Sequence, residues 1–69
     1  MTGKQLFESM GYEVMELMGY VDVRKKKGNR YGREIEFWKE EKKVKLRGWL
    51  TVAEIIAMYQ MIKDMGWIR

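Results

Sequence analysis

The chain contains neither cysteine nor histidine. Disulfide staples and the usual Cys/His zinc sites are therefore excluded, as are the nucleophile–base arrangements on which most covalent and general acid–base catalysis rests. No apolar run approaches the ~20 residues of a membrane span, and no stretch is organised like a signal peptide, so the chain is expected in a cell interior, with no membrane partner. No Gly-rich loop follows a strand pattern and opens a helix pattern, which removes the common phosphate-binding fingerprints; GNRYGRE at 28–34 has two glycines but lies inside a hairpin pattern. Glu34 and Glu36 form a carboxylate pair, yet alternation puts both on an exposed face beside lysines, where ordinary pKa values are expected. No catalytic residue, metal ligand or cofactor is assigned, and the chain is not expected to be an enzyme.

What remains is a 69-residue chain of 14 basic and 10 acidic residues, net charge +4. That length makes one domain, 1–69, near the lower end of what folds without staples. Three Trp, four Tyr and two Phe supply the packing such a small core needs. The charge permits polyanion binding and equally serves solubility.

The longest periodic segment is 51–67, TVAEIIAMYQMIKDMGW. Thr51 with Glu54 makes a capping box, Lys63 suits the C-terminal end of the dipole, and Gly66 is a natural stop. Val52, Ile55, Ile56, Tyr59 and Ile62 recur at helical spacing and predict the core-facing side. Met58, Met61 and Met65 add a second stripe, leaving Ala53, Ala57, Gln60 and Asp64 toward water. The methionine flank either packs on another helix of the domain or offers an adaptable surface for self-association; a monomer is expected.

Thr2 and Gln5 make a second capping box, with Leu6, Phe7 and Met10 as the apolar face of a short helix over 3–10. It is too short to persist alone, and the methionine flank is its expected dock. Residues 12–17 read as a short strand or an extended lead-in, interrupted by Gly19. Alternation then predicts strands over 20–25, 33–39 and 43–48, with Val21, Val23, Ile35, Phe37, Val44 and Leu46 inward. Gly28-Asn29 marks a hairpin loop and Glu40-Glu41 a turn. The expected fold is α+β: helix, three-stranded antiparallel meander, helix (α-β-β-β-α), both helices on one face of the sheet.

On the outward face, Glu34 and Glu36 stand between strands carrying Arg24 on one side and Lys43, Lys45 and Arg47 on the other. Opposite charges across strands stabilise the pairing, so the face reads as a mixed checkerboard. Trp38 beside Tyr20 either anchors a partner or covers the stems of its charged neighbours. The basic run Arg24, Lys25, Lys26, Lys27, Arg30 and Arg33 is either a solvated hairpin tip or a contact to phosphate or an acidic protein.

In order of elements and length the chain is similar to a double-stranded-RNA-binding domain, whose second helix opens with a phosphate-gripping lysine cluster. Here that helix opens Thr51-Val52-Ala53-Glu54, so the likeness is one of topology. LFESMGYE near the start, IEFWKE in the middle and TVAEIIAMYQMIKDMGWI at the end resemble small uncharacterised proteins of phages and prophages of Gram-positive bacteria. Those read FE-x-LGY early and end in an E-x-x-A-I…ELGW helix. Leu6, Phe7, Glu8, Gly11, Tyr12, Glu54, Ala57, Ile62, Gly66 and Trp67 hold the matching places, and Met65 replaces a leucine. The resemblance implies a phage setting in the cytoplasm of an infected bacterium and carries no active site.

Together these readings point to a phage-encoded binding protein that occupies a host or defence component, protein or nucleoprotein, with inhibition of a CRISPR nuclease as one concrete form. The expected partner-binding residues are Tyr20, Arg24, Lys25, Lys26, Lys27, Arg30, Trp38, Lys43, Lys45 and Arg47. Met58, Met61 and Met65 are the expected surface should the chain self-associate. The alternative is a weak, sequence-independent RNA or DNA binder using the same face.

Overall fold

The structure, a computed structural model, describes residues 1–27 and 30–68, with side chains described outside 26–32. Its order is α1 (Gly3–Ser9), β1 (Tyr12–Leu17), β2 (Tyr20–Lys27), β3 (Arg30–Trp38), β4 (Lys43–Leu46) and α2 (Val52–Asp64). Both expected capping boxes form: Thr2 with Gln5 opens α1, and Thr51 with Glu54 opens α2. No helix among the described residues is long and apolar enough to cross a membrane.

The four strands form one antiparallel meander in the order β1-β2-β3-β4, so the expected three-stranded sheet is corrected to four. The added strand is 12–17, which pairs with β2 along its whole length, from Tyr12 opposite Lys25 to Leu17 opposite Tyr20. Gly19 does not interrupt this strand. It sits in the two-residue turn after it at φ +86°, a left-handed conformation that glycine takes without a Cβ clash. β2 and β3 also run further than their alternation indicated, to Lys27 and from Arg30. The expected hairpin loop at Gly28-Asn29 lies outside the described residues.

Cross-strand partners share a face. Val14, Val23, Ile35 and Leu46 line up on one side of the sheet, with Val21, Phe37 and Val44 beside them. Phe7 from α1 and Ala57 and Met61 from α2 complete the core on that side. Phe7 meets Tyr12 and Phe37 edge-on, with centroids 5.3 and 6.2 Å apart.

The largest correction concerns α2. The side carrying Val52, Ile55, Ile56 and Tyr59 faces outward, each residue more than half exposed. The buried side carries Glu54, Ala57 and Met61, flanked by Met58, Ile62 and Met65, so Ala57 is in the core and not at the surface. Met61 is buried, and Met58 and Met65 are partly buried against the core, so much of the methionine flank is taken up within the chain. The reason lies at the helix crossing. A Cβ on Gly3 would collide with the backbone of Met61 and lie 2.8 Å from its Cβ, so α1 approaches α2 at van der Waals distance only because residue 3 is glycine. An approach that close suits Ala57 and flexible methionine better than a row of β-branched isoleucines.

Candidate partner-binding face

The far side of the sheet, away from the core, carries Tyr20, Asp22 and Arg24 on β2, Glu34, Glu36 and Trp38 on β3, and Lys43 and Lys45 on β4. Tyr20 and Trp38 are directly opposite and stacked, centroids 4.5 Å apart and planes 18° from parallel. The Trp38 indole Nε1 donates to Glu36 Oε1 at 3.0 Å, which fixes the ring's orientation. Lys43 and Lys45, both exposed, border the same ring and line an open hollow with Trp38, Glu41 and Val44. The result is a fixed aromatic surface with cations along one side.

Behind it lies a feature that alternation alone did not reveal. Asp22, opposite Glu36 on the open side of the sheet, is only 1% exposed. Asp22, Glu34 and Glu36 each bring a carboxylate oxygen to within 4.8 Å of the others. Arg24 Nε lies 2.5 Å from Asp22 Oδ2 and 3.3 Å from Glu34 Oε2, supplying one counter-charge to three acids. Asp22 Oδ1 is buried with no hydrogen-bond partner among the described residues. Such a trio of oxygens is the donor chemistry of a hard cation, and Arg24 already lies against two of its members. Desolvation, then the charges of Asp22 and Glu36, raise the Glu34 carboxyl above its ordinary range against the opposing pull of Arg24. The expectation of ordinary pKa values on this face is thereby corrected for Glu34.

Glu34 is 47% exposed, so solvent screens much of its repulsion from the other two acids. Glu34→Gln is accordingly expected to stabilise the fold at pH 7 only slightly, by at most about 0.5 kcal/mol or ~1–3 °C in Tm, because the amide is uncharged and can donate to Asp22. The sign with pH follows from linkage. A raised carboxyl favours folding in acid, and that contribution is lost as pH rises through the folded value. The gain in Glu34→Gln should therefore be small near pH 4 and grow toward neutrality. Thermal melts of both proteins at several pH values test this. A variant less stable than wild type at pH 7, in a wild type stabilised by Mg²⁺ or Ca²⁺, would assign the trio to a cation instead.

The expected binding residues do not all meet on one surface. Tyr20, Arg24, Trp38, Lys43 and Lys45 share the open face, and exposed Arg47 follows β4. Lys25 is on the opposite side, its Nζ 5.4 Å from the Tyr12 ring centroid. The side chains of Lys26, Lys27 and Arg30 lie outside the described residues. Arg33, grouped by sequence with the basic run, is drawn toward α2, where its Nε is 3.3 Å from Glu54 Oε2. Comparison with protein-family models, curated proteins and solved structures finds no match.

Sequence reasoning placed Glu54 only as a cap. It is also the centre of a buried polar cluster, 5% exposed, accepting a hydrogen bond from the Tyr12 hydroxyl and one from Thr51 N–H at 2.8 Å. Burial alone would raise its carboxyl. The bonds from Thr51 and Tyr12 and the charge of Arg33 outweigh burial and hold it below the ordinary range. Burial and the Glu54 charge push the Tyr12 phenol the other way, above its ordinary value, so it remains a donor. The cluster joins the N-terminus of α2 to β1 and β3, and its role is structural.

Proposed function

We propose that this chain is a non-enzymatic binding protein that acts by occupying another protein. Its target class is a host or defence component in the cytoplasm of a phage-infected bacterium, for example a CRISPR nuclease. The phage setting rests on the resemblance of its two ends and its central strand. The mode of action rests on one observation: the stacked Tyr20–Trp38 pair bordered by exposed Lys43 and Lys45. A pre-ordered Trp–Tyr pair is the make-up of an interface hot spot, and lysines at its rim favour a partner patch rich in Asp and Glu.

Nucleic acid is the weaker reading because of the carboxylates. Glu34 and Glu36 put negative charge beside the aromatic pair, where a phosphate backbone tracking from Arg24 to Lys45 would pass. Tagged protein is to be used to recover partners from a Gram-positive host lysate, with and without nuclease treatment. One protein recovered equally from both halves supports the proposal. The triple variant Trp38→Ala/Lys43→Glu/Arg47→Glu, folded by circular dichroism, should bind that protein at least ~30-fold more weakly. Recovery that vanishes with nuclease would favour the RNA or DNA reading.

A further inference from the structure

The outer face of α2 has no role in the core or in the sheet-side site. Val52, Ile55, Ile56 and Tyr59 follow one another at helical spacing along it, with Val52 72% exposed. Trp49, two residues ahead of the N-cap, is 91% exposed. Lys63, over the Tyr59 ring at 5.6 Å, stands at the C-terminal edge, and no acidic residue interrupts the stripe. A helix ordinarily turns its apolar side inward; this one carries apolar residues on both sides.

We propose that this face is covered by a second copy of the chain, giving a two-fold dimer in which the α2 helices pack antiparallel. The area fits that occupant. From their fractional exposures, the four helix side chains together with Trp49, which precedes the helix, offer on the order of 500–700 Å² per copy, below the ~800 Å² per partner of a standard-size interface but, over both copies, at or above the ~1,000 Å² in total that a specific contact needs. The charge distribution fits as well. An isologous contact places each residue near its own symmetry mate at the axis, and the centre of the stripe is Ile56, so an apolar side chain meets itself. Lys63 is held at the rim, away from its counterpart. A self-contact through the sheet side would instead set Lys43 and Lys45 against their own copies. An uncharged stripe also offers nothing to select a charged foreign partner, whereas aromatic and aliphatic side chains with charge only at the edge describe a homodimer core. In the antiparallel arrangement Trp49 of each copy comes opposite Tyr59 and Lys63 of the other, where the indole face receives the ammonium group.

The dimer leaves both open sheet sides outward and does not depend on the identity of any outside partner. Sedimentation equilibrium of the purified full-length chain from about 1 to 500 µM tests it with no partner present. The expected result is a monomer–dimer equilibrium that Ile56→Glu weakens at least ~100-fold and Trp38→Ala/Lys43→Glu leaves within a few-fold of wild type. Ile56 is exposed, so its variant should keep wild-type circular dichroism; Val52→Glu is the second variant and should act in the same direction. A wild-type monomer at 500 µM overturns the proposal. So does a dimer indifferent to both α2 variants, or open-ended growth beyond two copies.

Discussion

Glu54→Ala should leave the chain largely unfolded at 25 °C. The carboxylate is buried between three elements, takes bonds from Tyr12 and Thr51, and faces Arg33. Removing it takes away the reciprocal half of the capping box and leaves the Tyr12 hydroxyl without its acceptor. Arg33, whose Nη1 is already buried with no hydrogen-bond partner among the described residues, loses its counter-charge. Breaking a buried pair by deleting one partner costs about 3–5 kcal/mol, and total stability at this length is of the order of 5 kcal/mol. Urea titration at pH 7 measures the loss. Replacing both partners, as Glu54→Gln/Arg33→Met, should cost clearly less than the alanine variant, because no charge is then left buried. A loss below ~1 kcal/mol for Glu54→Ala would mean the cluster is solvated. Since Glu54 is held below its ordinary pKa, its contribution is present above the usual carboxylate range and lost as pH falls through the lowered value. This dependence runs opposite to that of Glu34.

The second large effect is expected at Gly3→Ala. Alanine is the better helix former, so propensity alone predicts a gain. The new methyl would instead be forced onto the backbone of Met61, and a helix backbone cannot give way like a side-chain tip. The helices would have to separate, stretching the 2.6 Å bond in which Gly3 N–H donates to Asp64 Oδ2. That bond supplies α1 with the N-terminal carboxylate that its own first turn lacks. The expected loss is about 2–3 kcal/mol, or ~10 °C or more in Tm. An unchanged or raised Tm would show that the two helices do not cross at residue 3.

These two positions also show what was legible in the sequence. Both helix starts could be read because a capping box is local: Thr2 with Gln5 and Thr51 with Glu54 need only each other. The last three strands could be read because their core-facing positions alternate cleanly. The first strand was harder to recognise since Glu16 falls on the core-facing side, at the end of an edge strand where water still reaches it. The buried side of α2 was not legible. Apolar residues line both of its sides, and the choice between them is made by distant residues: Gly3 at the crossing, and Tyr12 and Arg33 around Glu54. The same holds for Asp22, which alternation places correctly on the open face but whose burial depends on Arg24 and the acids of the neighbouring strand. Of the candidate site, the Tyr20–Trp38 pair and the flanking Lys43 and Lys45 were visible in advance. The separation of Lys25 and Arg33 from them was not, because strand parity carries both to the core-facing side.

Under the two proposals the sheet side engages a foreign protein and the outer side of α2 a second copy. One comparison tests that division most directly. Equal amounts of wild type, the folded triple sheet variant and Ile56→Glu are used to recover partners from the same nuclease-treated lysate. The predicted result is one protein held by wild type and by Ile56→Glu and lost from the sheet variant. Retention by the sheet variant with loss from Ile56→Glu would contradict the account and put the foreign partner on the helix.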